Sequence, residues 1–210
     1  EENIHNFKIV RSHVWFSIRL FFVNPGLYFR MINDQQDIIH TIGIRSFQSF
    51  IAALVASKKK IPLFVSDQGG LTTHPDLQTR NVWTRIIYKI QTPMIRFIIN
   101  QAKKIIVANE YEKKIFSKLT DENKIEVVRN GINLESMKSS VDFKKKYAVN
   151  YDYFLFLGRF HKVKGIDTLL NAMNLIKNNP IMANTKLVIM GVDFGFETEM
   201  LRMIRKMDLG

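Results

Sequence analysis

The chain of 210 residues contains no cysteine. That absence excludes a disulfide-stapled secreted scaffold and any metal site built on thiolates, and it is compatible with a reducing cytoplasm. Acidic residues are scarce: 19 Asp and Glu stand against 31 Lys and Arg, a formal charge of +12. Such an imbalance favours anionic partners, whether nucleic acid, phosphorylated metabolites or an acidic membrane surface, and does not choose among them. Long apolar runs are missing as well. The nearest, VWFSIRLFFV at residues 14–23, contains Arg19 and falls far short of the roughly 20 apolar residues that a spanning helix needs. The opening EENIHNF has neither the basic start nor the small-residue cleavage site of a signal peptide. There is no internal repeat and no low-complexity tract.

What is present is an apolar share of 46%, enough for one large globular domain or two small ones. Short β-branched runs alternate with stretches of helical periodicity, the pattern of a parallel sheet covered by helices. The spacing predicts strands at 37–42, 61–66, 104–108, 124–128, 153–158 and 186–191. It predicts helices at 46–59, 81–101, 110–119, 165–178 and 196–207. A polar, charged stretch with no strand pattern, NLESMKSSVDFKKKYAVN at 133–150, separates two such series. The expected organisation is a first domain at 1–133, a linker at 134–150 and the opening part of a second domain at 151–210.

One stretch carries chemistry. The apolar run YDYFLF, which reads as a buried strand, leads into LGRFHKVKG at 157–165, and a helix pattern follows at once. In open α/β folds anions bind at strand C-termini and helix N-termini, where backbone N–H groups and the helix dipole face the ligand. Gly158 permits close approach, Arg159 can fork two phosphate oxygens, and Lys164 supplies a point charge. A Lys in the first helical turn opposes the macrodipole by roughly 0.3–1 kcal/mol, only partly offset by Asp167, and an anion would relieve the conflict. The competing reading is a strand-end Gly followed by a solvated basic loop.

This constellation resembles glycosyltransferase family four, whose signature is a strand ending in Gly-Arg, a short variable stretch, and KGID opening a helix with LL and A on its inner face. Here these are Gly158-Arg159, Lys164-Gly165-Ile166-Asp167, Leu169-Leu170 and Ala172. DIIHTIG (37–43), IPLFVSDQGG (61–70), AKKIIVANEYEKKIF (102–116) and VVRNGIN (127–133) are similar to the family's successive N-terminal landmarks, in order. The resemblance implies the α/β GT-B fold: two Rossmann-like domains with parallel sheets, here with the start of the first absent and the second incomplete. It implies a retaining transfer of a sugar from a nucleotide diphosphate sugar to a sugar, lipid-linked or growing glycan acceptor. Arg159 and Lys164 would then stabilise the leaving diphosphate, and Gly158 and Gly165 would complete the donor site. No Asp-x-Asp occurs, so metal independence is expected, with no cofactor.

Gln68, Gly69 and Gly70 follow a predicted strand and are expected to open towards a cleft between domains. Where the family commonly has His, this chain has Gln68, which cannot carry a proton near neutral pH. His74 competes for that role with a plain surface reading. Asn130 and Gly131 are expected in a strand-to-linker loop at the cleft. His40, alternating with apolar neighbours, reads as a satisfied buried group, and His161 as an exposed one.

Between Arg80 and Lys104 there are six Lys or Arg and no acid. On a helical wheel Arg85, Lys89, Arg96 and Lys103 cluster within about 40°, opposite Trp83, Ile86, Ile90, Met94, Phe97 and Ile98, with a bend expected at Pro93. The basic face is either solvated or attracted to acidic headgroups, which would make the protein peripheral on the inner face of a membrane. No RNA-recognition aromatic signature or recognition-helix pattern is present, so nucleic acid is not expected as a partner. A non-catalytic phosphate or nucleic-acid binder and a GT-B sugar-nucleotide epimerase are the alternatives. The family's two glutamates, eight positions apart, have no counterpart here and are expected downstream of Gly210, so the 210-residue chain alone is expected to be inactive.

Overall fold

The computed structural model describes residues 2–5, 7–18, 21–71, 82–135 and 143–209. They form two compact units, Glu1–Ile132 and Asn133–Gly210.

The first unit opens with two antiparallel hairpins, β1 (Glu2–Ile4) with β2 (Phe7–Ile9) and β3 (Phe16–Ile18) with β4 (Phe21–Val23). Then come α1 (Gly26–Asn33), β5 (Ile39–Ile42), α2 (Phe47–Lys59), β6 (Leu63–Asp67) and α3 (Val82–Gln101). β7 (Ala102–Val107), α4 (Glu110–Phe116) and β8 (Ile125–Val127) complete it. Strands β5, β6, β7 and β8 lie side by side in chain order, all parallel. Right-handed crossovers between strands laid down in one direction carry their helices to one face of the sheet. Strand alternation follows from that: Ile39, Thr41, Leu63, Val65 and Asp67 are buried, while Ile42 is 64% exposed.

His40 therefore lies on the face of β5 turned away from the buried side chains, which corrects its expected burial. It is exposed, with Nε2 2.7 Å from Ser66 Oγ on the neighbouring strand. The core behind the sheet is aliphatic, with Ile44, Val55, Leu63, Val65, Ile98 and Ile105 fully buried. Each contributes on the order of 1.5–3 kcal/mol of burial. Helix α2 reaches this core because Ala52, Ala53 and Ala56 let its backbone approach closely. Ser46 starts it by accepting from the Ser49 N–H, and the left-handed Lys60 ends it.

Helix α3 continues across Pro93, buries Ile95, Ile98 and Ile99, and leaves Lys89 and Arg96 exposed. The side chains of Trp83, Arg85, Ile86 and Ile90, and all of Arg80, lie outside the described residues. Lys103 is not part of the basic helical stripe, because α3 ends at Gln101 and Lys103 is an exposed residue of β7.

The second unit contains α5 (Phe143–Lys146), which falls inside the segment expected as linker, then β9 (Asp152–Leu157), α6 (Ile166–Ile176), β10 (Thr185–Met190) and α7 (Glu197–Met207). β9 and β10 pair in parallel, from Asp152 opposite Thr185 to Leu157 opposite Met190, with α6 as the crossover. Their core gathers Phe160, Ile166, Leu170, Phe196 and Met200. The expectation of a buried strand at β9 is not met within this unit. Phe154, Leu155 and Leu157 are 44%, 52% and 74% exposed, because β10 is the one strand beside β9 among the described residues.

Candidate functional site

The residues from Gly158 to Gly165 form a braced turn at the C-terminal end of β9. The ends of the two strands are locked together: the Gly158 N–H donates to Met190 O (3.0 Å), Phe160 N–H to Val192 O (2.8 Å), and Phe194 N–H to Phe160 O (3.0 Å). The tight glycine here is Gly191, where a Cβ would lie 1.8 Å from the Gly158 carbonyl oxygen. A Cβ on Gly158 would meet the Phe156 ring at an ordinary 3.5 Å.

Within the turn, His161 N–H donates to Arg159 O (2.9 Å), and His161 Nδ1 accepts from the Val163 N–H (3.2 Å). A ring that accepts at Nδ1 carries its proton on Nε2 when neutral. His161 is thus half-buried and caps a single 3₁₀ turn, Lys162–Lys164, rather than standing free in solvent. Gly165 follows in the left-handed conformation (φ 70°), which glycine adopts without steric cost, and α6 starts at Ile166. Lys164 therefore precedes the helix. Its predicted place in the first helical turn is corrected, because the left-handed Gly165 separates the 3₁₀ turn from α6.

The two helices of this unit treat their N-termini differently. At α7 the Asp193 Oδ1 accepts from the N–H groups of Gly195 (2.8 Å), Phe196 (2.9 Å) and Glu197 (3.0 Å). These bonds, the one from Glu197 foremost, hold the Asp193 carboxyl below the usual carboxylate range. A side-chain anion is thereby built into that helix end. At α6 Asp167 is the one acid of the first turn, no side-chain cap bond is made, and the N–H groups of a first turn have no partners within an α-helix. Arg159, just after β9, and Lys164, the last residue of the 3₁₀ turn before Gly165, are both exposed. The Arg159 guanidinium carbon lies 4.8 Å from the centroid of the Phe194 ring.

The remaining predicted residues belong to the first unit. Gln68 is exposed, Gly69 is buried with φ 83°, and Gly70 adjoins the buried Asp67. Asp67 Oδ1 accepts from the Ile44 N–H and Oδ2 from the Leu71 N–H, each at 3.3 Å, so one carboxylate ties the β5–α2 turn to the loop after β6. Burial pushes its carboxyl above the usual value, against the lowering effect of the Ile44 and Leu71 N–H groups. A Cβ on Gly70 would lie 2.4 Å from Asp67 Oδ1. Arg45 reaches over this loop, donating to Gln91 Oε1 (3.2 and 3.3 Å) and Gly70 O (3.5 Å). Asn130 and Gly131 are exposed in irregular chain after β8, without positive φ. His74 lies outside the described residues. Among the described residues no three His, Asp or Glu side chains gather as metal ligands, and no helix is long and apolar enough to cross a membrane.

Asp67, Gly191, Asp193 and Phe194 were not singled out from the sequence. Asp193, just after a strand and just before an amphipathic helix, does carry a legible helix-start signal. Phe194 carries none.

Parallel sheets with helical crossovers in both units make this an α/β protein, and the likeness to solved structures gives it the fold of the GT-B class. Sucrose-phosphate synthase from Thermosynechococcus elongatus has this fold, with a TM-score of 0.59 and 18% identity over 83% of this chain and 43% of that one. UDP-GlcNAc 2-epimerase from Neisseria meningitidis is a more distant likeness, with a TM-score of 0.47 and 19% identity over 88% of this chain and 49% of that one. The chain thus spans less than half the length of each. No curated protein sequence matches it significantly. The sequence does match Glycosyltransferase Family 4 over residues 1–136, and the chain belongs to that family.

Proposed function

We propose that the protein containing this chain is a retaining glycosyltransferase that takes its sugar from a nucleotide diphosphate sugar, with the diphosphate gripped at the start of α6. The observation that carries this reading is the contrast between the two helices of the second unit. Asp193 already neutralises the N-terminus of α7, whereas that of α6 has no side-chain cap and follows directly on the turn that carries Arg159 and Lys164. An anion bound at α6 would meet first-turn N–H groups and two cations together.

In the transfer, the bond from the anomeric carbon to the diphosphate breaks and its electron pair stays on the phosphate oxygen. The acceptor hydroxyl forms the new bond on the same face, and its proton passes to the departing diphosphate. Cations fixed beforehand around that oxygen stabilise the developing charge without reorganising, so Arg159 and Lys164 are the catalytic residues of this step. They also perform the charge neutralisation that a divalent metal would supply, and metal-independent transfer is part of the proposal. The acceptor side falls to the first unit, with Gln68, Gly69, Gly70, Asn130 and Gly131 as its loop residues. Family membership favours transfer over epimerisation, and product analysis separates the two.

The test is calorimetric titration of the full-length protein with UDP, ADP and GDP in buffer containing chelator. Arg159→Ala and Lys164→Ala should each weaken the preferred nucleotide about tenfold or more, since a charge-assisted hydrogen bond contributes on the order of 1.5–3 kcal/mol. Unchanged affinity in both variants would sink the assignment.

A further inference from the structure

Arg159 meets an aromatic ring from outside its own turn. Phe194, 53% exposed, lies on the connection between β10 and α7, with its ring centroid 4.8 Å from the guanidinium carbon. That connection is braced against the Arg159 turn at several points. Phe194 N–H bonds Phe160 O, Phe160 N–H bonds Val192 O, and Gly191 abuts the Gly158 carbonyl. The Asp193 carboxylate holds the next three N–H groups from Gly195 to Glu197. The ring therefore sits on a fixed platform although it is largely solvent-accessible. A large apolar ring exposed on so rigid a loop makes no contribution to the core of the unit, whose members are Phe160, Ile166, Leu170, Phe196 and Met200.

An arginine side chain loses much rotamer freedom when it grips a ligand. A ring bearing on the guanidinium removes part of that loss in advance, while the N–H donors radiate in the guanidinium plane. We propose that Phe194 is a positioning residue, holding the Arg159 guanidinium at the end of β9 in readiness for the diphosphate. This rests on the assignment of Arg159 to the diphosphate site, and the experiment separates the two.

The full-length protein is titrated with UDP, ADP and GDP, and with the matching nucleosides, as wild type, Phe194→Leu, Phe194→Trp, Arg159→Ala and the Phe194→Leu/Arg159→Ala double variant. Phe194→Leu should weaken the preferred diphosphate by about two- to fivefold, the value of an exposed cation–π contact. Phe194→Trp should retain wild-type affinity. In the Arg159→Ala background, Phe194→Leu should have no further effect, and nucleoside affinity should not change in any variant. A loss that persists without Arg159, or a loss of nucleoside affinity, overturns the positioning role, because Phe194 would then be touching the ligand or supporting the fold. Arg159→Ala weakened with Phe194→Leu unchanged overturns the positioning role alone. Arg159→Ala unchanged overturns the assignment of Arg159 to the diphosphate, and with it the positioning role.

Discussion

Replacing Gly70 by alanine perturbs a residue that makes no side-chain contact of its own. Its backbone φ lies outside the left-handed region, so alanine meets no conformational penalty there. The new methyl would lie 2.4 Å from Asp67 Oδ1, an impossible approach, and Asp67 is 1% exposed with no room to swing freely. The carboxylate must shift, and the N–H groups of Ile44 and Leu71 lose their acceptor. A buried donor left unpaired costs about 1–3 kcal/mol. Because both bonds are long, we expect a total near the lower end, about 2–4 kcal/mol. For a unit of this size that is a fall in Tm of roughly 6–12 °C. Urea or thermal unfolding followed by tryptophan fluorescence reads the right unit, since Trp15 and Trp83, the only tryptophans, both lie in Glu1–Ile132. The decisive comparison is a double-mutant cycle. In an Asp67→Ala background the methyl meets no carboxylate, and Gly70→Ala should cost less than about 1 kcal/mol. Equal cost in both backgrounds would refute the clash, and a harmless Gly70→Ala would refute the role of Asp67 in tying the loops.

The same carboxyl predicts a pH dependence. Its folded pKa is raised above the ordinary 3.8 by burial, so its contribution to stability is full below pH 3.8 and is lost as pH rises through the folded pKa. Asp67→Asn removes that loss, and the stability of the variant relative to wild type should rise with pH over this window; a flat or falling difference in urea unfolding contradicts the assignment. The exposed cations of α3 give a separate test. If the basic face meets acidic headgroups, Lys89→Glu/Arg96→Glu should lower sedimentation with phosphatidylserine vesicles several-fold, at about 1 kcal/mol per basic residue, and unchanged sedimentation would make it a solvated face.

Much of the α/β framework was legible because period alone separates strand from helix. IPLFVS and KIIVA read as strands and SFQSFIAALVASKK as a helix, and their observed bounds differ by a residue or two. The hairpins β1–β2 and β3–β4 were not read, since their three-residue strands are too short for any period to show. His40 was misread for a subtler reason. Alternation identifies two faces but not which face the crossovers will cover, and that depends on strand order. At the candidate site the glycines and cations of LGRFHKVKG stood out, whereas their setting did not. The contact of Phe194 with Arg159 exists only because Leu157 pairs with Met190, a register that no local pattern encodes. The ledge made by Asp67 and Gly70 depends likewise on a backbone N–H from a different loop.

Gly191 restricts what this protein can become. Any other residue would place its Cβ 1.8 Å from the Gly158 carbonyl oxygen, and the obstruction is backbone, which cannot turn aside as a side chain would. In a saturation library screened for folded protein, codons at 191 should collapse to glycine alone, while Gly158, with 3.5 Å to its nearest neighbour, admits alanine. The gap between the two profiles would map the seam along which the Arg159 turn and the Phe194 loop are joined. Laboratory evolution of the site would then proceed by exchanging residues on either side of the seam, never by widening it.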